Sequence, residues 1–180
     1  MIIIEGPDNS GKTTLGQMLS RELMTPVVHS MKPDPTWSEL QALDQAIMQL
    51  LPQQYIRDRT YAISEWVYGP ICRGRSALGA LHKQALNVLL HQRHLIIYCR
   101  PKDEVILKND GREQMEGVLE NHLAIVKGYD RLMDAIKVSM SIEVIEYDWT
   151  EGDKSFFNLV RCCRQHLTDY KRYTKIIGAL

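Results

Sequence analysis

The residues best able to do chemistry stand together near the start of the chain, in Gly6-Pro7-Asp8-Asn9-Ser10-Gly11-Lys12-Thr13-Thr14. The segment satisfies G-x-x-x-x-G-K-[ST] at every fixed position. Gly6 and Gly11 let the backbone wrap closely around a polyphosphate, so that the N–H groups from Asn9 and Ser10 through Thr14 turn inward as donors. Lys12 reaches the β- and γ-phosphates, and Thr13 offers its hydroxyl to Mg²⁺. A helix starting behind the loop aims its positive end at the same anion. The chemistry is nucleoside triphosphate binding. The motif does not name the group that would receive a phosphate.

Further groups cluster in the middle of the chain. Asp58 and Arg59 close the run Gln54–Arg59. A carboxylate at such a strand end serves the Mg²⁺ ion or the attacking group. Arg59, Arg73 and Arg75 suit phosphate, because a guanidinium meets two phosphate oxygens at once. Tyr61, Trp66 and Tyr68 could stack on a base, with core packing as the alternative. Lys102, Lys108 and Arg112 fall in a charged stretch over 101–113, where a lid would carry cations to developing charge and exclude water. An ordinary polar loop reads the same way. The six histidines (29, 82, 91, 94, 122 and 166) have no metal-ligand spacing with Cys or carboxylates, so no zinc site is expected.

The elements that must hold these groups follow from the apolar pattern. Ile2-Ile3-Ile4 reads as a strand buried on both faces. Lys12–Leu23 is a helix with Leu15, Met18, Leu19 and Leu23 on one side, ending before Pro26. Pro26–Ser30 is a second strand. Thr36 or Ser38 caps a helix that runs to about Leu51, with Leu40, Leu43, Ile47, Leu50 and Leu51 inward. Gln54–Arg59 is the third strand. Residues 62–75, rich in Gly, Arg and aromatics, resist assignment. A helix over about 76–92 precedes the strand Leu95–Cys99, which Arg100-Pro101 breaks. A long helix over about 113–136, a strand over 142–147 alternating as a sheet edge does, and a helix over 153–173 complete the chain. The last carries Arg161, Arg164, Lys171 and Arg172, read as a solvated face ahead of a DNA-binding stripe.

Strands alternating with helices require right-handed crossovers and a parallel sheet covered on both faces. The expected fold is three-layer α/β/α with five parallel strands, one domain over 1–180. Ligands then lie beyond the C-terminal strand ends, where the glycine loop, Asp58-Arg59 and Arg100 emerge.

Composition sets the outer bounds. Hydrophobic residues make up 44% and charged residues 24% of the 180, as in ordinary globular domains. Lys+Arg and Asp+Glu both total 22, so overall charge does not advertise a nucleic-acid binder, although it leaves room for a local basic face. Cys72, Cys99, Cys162 and Cys163 form no C-x-x-C pair and are expected to be reduced thiols. A strand beginning at residue 1 and the lack of any long apolar run point to a cytoplasmic protein without a membrane partner. Oligomeric state is not legible, and a homodimer is compatible.

Ile4-Glu5-Gly6-Pro7-Asp8 leading into Gly11-Lys12-Thr13-Thr14 closely resembles the opening of thymidylate kinases. Asp58-Arg59 is similar to that family's Asp-Arg pair after the third strand. The resemblance implies a P-loop kinase fold, ATP and Mg²⁺, and a thymidine-type acceptor with Asp8 at its deoxyribose and Arg59 on its phosphate. Tyr129 is similar in placement to a family tyrosine. Departures follow Arg59: where the family continues with a serine and an Ala-Tyr-Gln segment that reads thymine, this chain has Ile63-Ser-Glu-Trp-Val-Tyr-Gly-Pro70, and the arginine-rich lid is reduced.

That pattern resembles small bacteriophage P-loop kinases, among them relatives that phosphorylate 5-hydroxymethyluracil in DNA. A hydroxymethyl group is a weak nucleophile and benefits from a carboxylate that takes its proton. Glu65 is an added carboxylate. The leading expectation is therefore an ATP-dependent kinase acting on 5-hydroxymethyl-deoxyuridine in phage DNA, in the host cytoplasm. Lys12, Asp58, Arg59 and Glu65 would be catalytic, Thr13 and Asp58 would hold the metal, and Asp8, Arg59, Tyr68, Arg73 and Arg75 would bind substrate. The alternative is a thymidylate or deoxynucleoside monophosphate kinase, converting dTMP and ATP to dTDP and ADP. A non-catalytic nucleotide switch ranks third, since the chain lacks an N-K-x-D guanine motif.

Overall fold

Three isoleucines followed by Glu5 make β1 (Ile2–Glu5), and all four residues are buried. Such a run survives only in the middle of a sheet that has helices on both faces. The computed structural model describes residues 1–30, 34–51, 53–108, 116–139 and 142–177, with side chains through 172. Around β1 stand β2 (Val27–His29), β3 (Ile56–Asp58), β4 (Leu95–Cys99) and β5 (Glu143–Tyr147). All pairings are parallel, in the order β2-β3-β1-β4-β5. The chain leaves β1 toward one edge and later returns past it to β4, so the strand order reverses between β1 and its neighbours. Register places Ile4 opposite both Asp58 and Ile97, and His29 opposite Asp58.

Alternation of side chains gives the sheet two cores. Ile2, Ile4, Ile56 and Ile97 pack under α1 (Lys12–Leu23) and α7 (Asp153–Ile177) through Leu15, Leu19, Phe156 and Leu159. Ile3, Ile96 and Tyr98 face the other way, under α2 (Glu39–Leu50), α3 (Tyr61–Arg73), α4 (His82–Leu90) and α6 (His122–Val138). Ser38 caps α2 in a reciprocal box with Gln41. The buried side of α2 is Ala42, Leu43, Ala46 and Leu50, whereas Leu40 and Leu51 are exposed.

Three stretches differ from the sequence reading. Residues 61–73, which had no assignment, form helix α3 despite Gly69-Pro70. Thr60 caps its start by accepting from the Ile63 N–H, and Gly74, at φ +68°, ends it. Gly69 is in this helix because there is no room for a larger residue: a Cβ there would lie 2.6 Å from a Glu65 carboxylate oxygen and 2.9 Å from Ser76 Cα. The helix expected over 76–92 begins only at His82, behind a 3₁₀ turn at Gly79–Leu81. Of the helix expected over about 113–136, residues 113–115 lie outside the described residues, 116–121 form turns around Gly117 at φ +79°, and the helix begins at His122. Between β4 and those turns lies the short α5 (Asp103–Ile106). No helix among the described residues is long and apolar enough to cross a membrane.

Candidate nucleotide and acceptor site

The glycine loop leaves the end of β1 and enters α1. At Gly6, φ is +147° and a Cβ would sit 2.6 Å from the Cys99 carbonyl oxygen, so β4 leaves space for glycine alone. Gly11, at φ +85°, is the N-cap of α1 and supplies no side chain to the first helical N–H groups, which stay available to an anion. Lys12 is buried. Its ammonium donates to the Pro7 carbonyl and to Ser10 Oγ at 3.3 Å, and Ser10 Oγ donates to the same carbonyl at 2.9 Å. Burial, with Arg59 nearby, pushes the Lys12 ammonium down to about 8, against the pull of Asp8. An anion placed in the loop would offset this penalty.

Thr13 Oγ1 donates to Asp58 Oδ2 at 3.0 Å, and His29 Nδ1 lies 3.1 Å from the same oxygen. A hydroxyl and a buried carboxylate side by side are the hard oxygen donors that Mg²⁺ prefers, so Thr13 and Asp58 fit the ion that a bound triphosphate carries. Among the described residues no three His, Cys, Asp or Glu side chains converge as metal ligands.

Arg59 stands on the other side of the loop in a left-handed backbone conformation, φ +68°. Its guanidinium pairs with Asp8, donates to the Tyr129 hydroxyl at 3.3 Å and lies 5.1 Å from the centre of the Tyr68 ring. The Tyr68 hydroxyl completes the group with a 3.0 Å bond to Asp8. Burial alone would raise the Asp8 carboxyl, but Arg59 and Lys12 hold it below its usual range. A cleft of about 760 Å³ is lined on its polar wall by Asp8, Lys12, Thr13, Asp58 and Arg59, whereas Tyr68, expected to bind substrate, is buried and does not line it.

Other candidates lie elsewhere. Both oxygens of Glu65 accept from Arg73, at 2.6 and 2.5 Å, and one also accepts from the Ala77 N–H at 2.7 Å. Glu65 is buried and does not line the cleft. Arg75 is exposed. Arg100 is held by Asp130 and Asp103. Tyr61 packs edge-on against Trp37, and Trp66 against His82. Of the lid residues, Lys102 is exposed at the start of α5, Lys108 lines the cleft, and its carbonyl accepts from Asn9 Nδ2 at 3.2 Å. Arg112 lies outside the described residues. On α7, Arg164 meets Glu22 at the surface.

The structure also brings up residues the sequence reading passed over. His29 and Ser30 line the cleft at the end of β2. Trp149 lies in a 3₁₀ turn (Trp149–Glu151) held by Asp148, which accepts from the Thr150 N–H. Its ring would be 3.0 Å from a Cβ on Gly11, so it lies against the phosphate loop, near Phe156 and Met18. The signal available was an aromatic residue just past a strand end, a place where ligands of parallel sheets lie. Glu5, a carboxylate closing the buried isoleucine strand, was visible too.

A five-stranded parallel sheet in this order, with a phosphate loop leaving its central strand, defines the P-loop kinase fold. Solved structures agree. The YorR protein of Bacillus subtilis, in complex with phosphorylated GDP, superposes with a TM-score of 0.69 at 21% identity over 96% of this chain and 97% of that one. Thymidylate kinase from Candida albicans gives 0.56 at 16% identity, covering 92% of both chains. Deoxyadenosine kinase from M. mycoides with bound dATP gives 0.57 at 16% identity, over 91% of this chain and 98% of the other. At such identities the likeness is one of fold. No family model and no curated protein matches the chain by sequence.

Proposed function

We propose that the chain is a phosphotransferase that moves the γ-phosphate of ATP to a deoxynucleotide of the thymidine type, a deoxynucleoside monophosphate such as dTMP. The observation that carries this is the placement of Arg59 beside Asp8, across one cleft from Lys12. A guanidinium there suits an acceptor phosphate, whose oxygens already carry the negative charge needed for attack and require neutralisation more than a base. Asp8 and Tyr68 would hold Arg59 in place, and Asp8, which lines the cleft, would meet the sugar.

In the reaction an acceptor phosphate oxygen bonds to the γ-phosphorus while the bond from that phosphorus to the β–γ bridging oxygen breaks. The bridging oxygen keeps the electron pair and leaves as ADP. Lys12 and the α1 N-terminus stabilise the charge on the transferring group. Mg²⁺, when bound at Thr13 and Asp58, supplies charge neutralisation across the phosphates. Closure of residues 101–108 over Asn9, whose Nδ2 donates to the Lys108 carbonyl, is the proposed means of excluding water.

A second reading, transfer to the 5-hydroxymethyl group of 5-hydroxymethyl-deoxyuridine in DNA, loses the support of Glu65, which is bonded away from the cleft. What favours it is Asp58, a carboxylate that does line the cleft and touches His29. The two are separated by incubating the protein with γ-labelled ATP, Mg²⁺ and either dTMP or duplex DNA containing 5-hydroxymethyluracil. Label on dTMP supports the first reading. Label on the modified duplex alone overturns it in favour of the second, and label on neither sinks both.

A further inference from the structure

Glu5 is fully buried at the end of β1, directly before the phosphate loop, and no step above uses it. A carboxylate is retained in such a place only when its oxygens are bonded. One oxygen accepts from the Thr60 N–H at 2.5 Å and from Thr60 Oγ1 at 2.9 Å. The other accepts from the Tyr129 hydroxyl at 3.4 Å. Two independent routes lead from these bonds to Arg59. Through the backbone, Thr60 is held by Glu5 while the Arg59 N–H donates to the Ile4 carbonyl at 2.9 Å. The last two residues of β1 thus clamp residues 59 and 60, with Arg59 between them at φ +68°. Through side chains, the same Tyr129 hydroxyl that donates to Glu5 accepts from the Arg59 guanidinium.

A left-handed conformation at a residue other than glycine costs about 1–2 kcal/mol and persists only where its surroundings over-determine it. Here the surroundings are the Ile4 carbonyl on the Arg59 N–H, the Ser30 hydroxyl on the Arg59 carbonyl, and Glu5 holding both Thr60 and Tyr129. The position is a compact charge balance as well: Lys12 and Arg59 are its cations, Glu5 and Asp8 its carboxylates. Burial pushes the Glu5 carboxyl up to about 7, against the pull of Arg59 and the Thr60 bonds.

We infer that Glu5 is a positioning residue for Arg59, fixing the acceptor-side guanidinium from both its backbone and its tip and thereby tying it to the strand that bears the phosphate loop. The inference rests on the acceptor role given to Arg59 above. Its test is a double-mutant cycle on the full chain, with Glu5→Gln, Arg59→Ala and the pair. The readouts are dTMP binding and turnover, and ATP binding measured separately. Gln keeps the size of the side chain but gives up the charge-assisted bonds. Glu5→Gln should weaken dTMP binding about ten-fold and change ATP affinity by less than about two-fold, and in the Arg59→Ala background it should add almost nothing. An equal dTMP loss with and without Arg59, or a matching loss for ATP, overturns the inference.

A crystal structure of Glu5→Gln separates this from the functional reading. Arg59 should leave positive φ or release Asp8, and an Arg59 unchanged in both respects overturns the inference whatever the acceptor proves to be. Should wild-type protein transfer no phosphate to dTMP, the functional reading fails and the crystallographic result alone decides on Glu5. If Glu5→Gln does not fold, Tyr129→Phe removes the hydroxyl that bridges Glu5 and Arg59 and takes its place in both measurements, with the same outcomes.

Discussion

Replacing Glu65 with Gln distinguishes a strut from a base. Glu65 is buried and receives Arg73 through both oxygens together with the Ala77 N–H, so it joins the end of α3 to the turn that follows. Gln at this position keeps one acceptor but loses the charge and turns an amide NH₂ toward the guanidinium. Hydrogen bonds to charged groups contribute about 1.5–3 kcal/mol. The Arg73 side chain is 39% exposed, and water that takes over its bonds puts the loss at the lower end of that range, about 2 kcal/mol. For a chain of this size that lowers the melting temperature by about 4–8 °C. The midpoint of urea unfolding should fall with an unchanged slope, since the surface exposed is the same. Phosphotransfer per folded molecule should stay within about two-fold of wild type, because Glu65 lies away from the cleft. A variant as stable as wild type that has lost turnover by about 10²-fold or more would refute this account and restore Glu65 as a proton acceptor.

Other expectations concern the loop and the histidines. Lys12→Ala should cut turnover by about 10²–10³-fold or more with any acceptor while the chain stays folded, because the charge stabilising the γ-phosphate is gone; wild-type-like turnover contradicts the assignment of the loop. Gly11→Ala should weaken ATP binding by about ten-fold or more, since φ +85° strains alanine and its Cβ would come within 3.0 Å of the Trp149 ring. ATP should likewise alter tryptophan emission in wild type, and an undiminished signal in Trp149→Phe argues that this ring is remote from the nucleotide. His94 and His166 should make the fold acid-sensitive: burial pushes them down to about 3 and about 4, so below pH about 6.5 the unfolded chain binds protons that the folded chain does not. Each histidine then costs up to about 1.4 kcal/mol per pH unit as pH falls from about 6.5 toward its folded value, with full stability above that window. Glu5, raised to about 7, works in the opposite direction between 4.5 and 7, so the comparison is His94→Gln against wild type. The variant should lose urea stability more slowly on acidification, and parallel curves contradict the expectation.

Much of the fold was legible because local signals agreed. The isoleucine run, the Gly6–Thr13 loop and the amphipathic helix behind it each imply the next, and together they place one central strand with its phosphate loop. Ser38, Pro26 and Arg100-Pro101 marked element ends through capping and the lack of a backbone N–H, which depend on neighbours in the chain alone. The alternation over 142–147 likewise announced an edge strand, and β5 is one.

Helix α3 was not legible. Gly69-Pro70 is a breaker signal, and only the packing of Tyr61, Ile63, Val67 and Tyr68 against α4 and α6, with the Glu65 carboxylate filling the space beside Gly69, overrides it. The same holds for the partners of charged groups. Composition and spacing offered Glu65 and Arg73 as site residues alongside Asp58 and Arg59, and placed Arg100 at the same end of the sheet. Which carboxylate faces the cleft and which is spent on a neighbouring arginine is a matter of side-chain direction over distances of a few ångströms, set by helix rotation and by residues far away in sequence. Residue type and spacing along the chain determined what chemistry was available; the tertiary structure decided which groups were free to perform it, because burial and pairing act between segments that the sequence does not juxtapose.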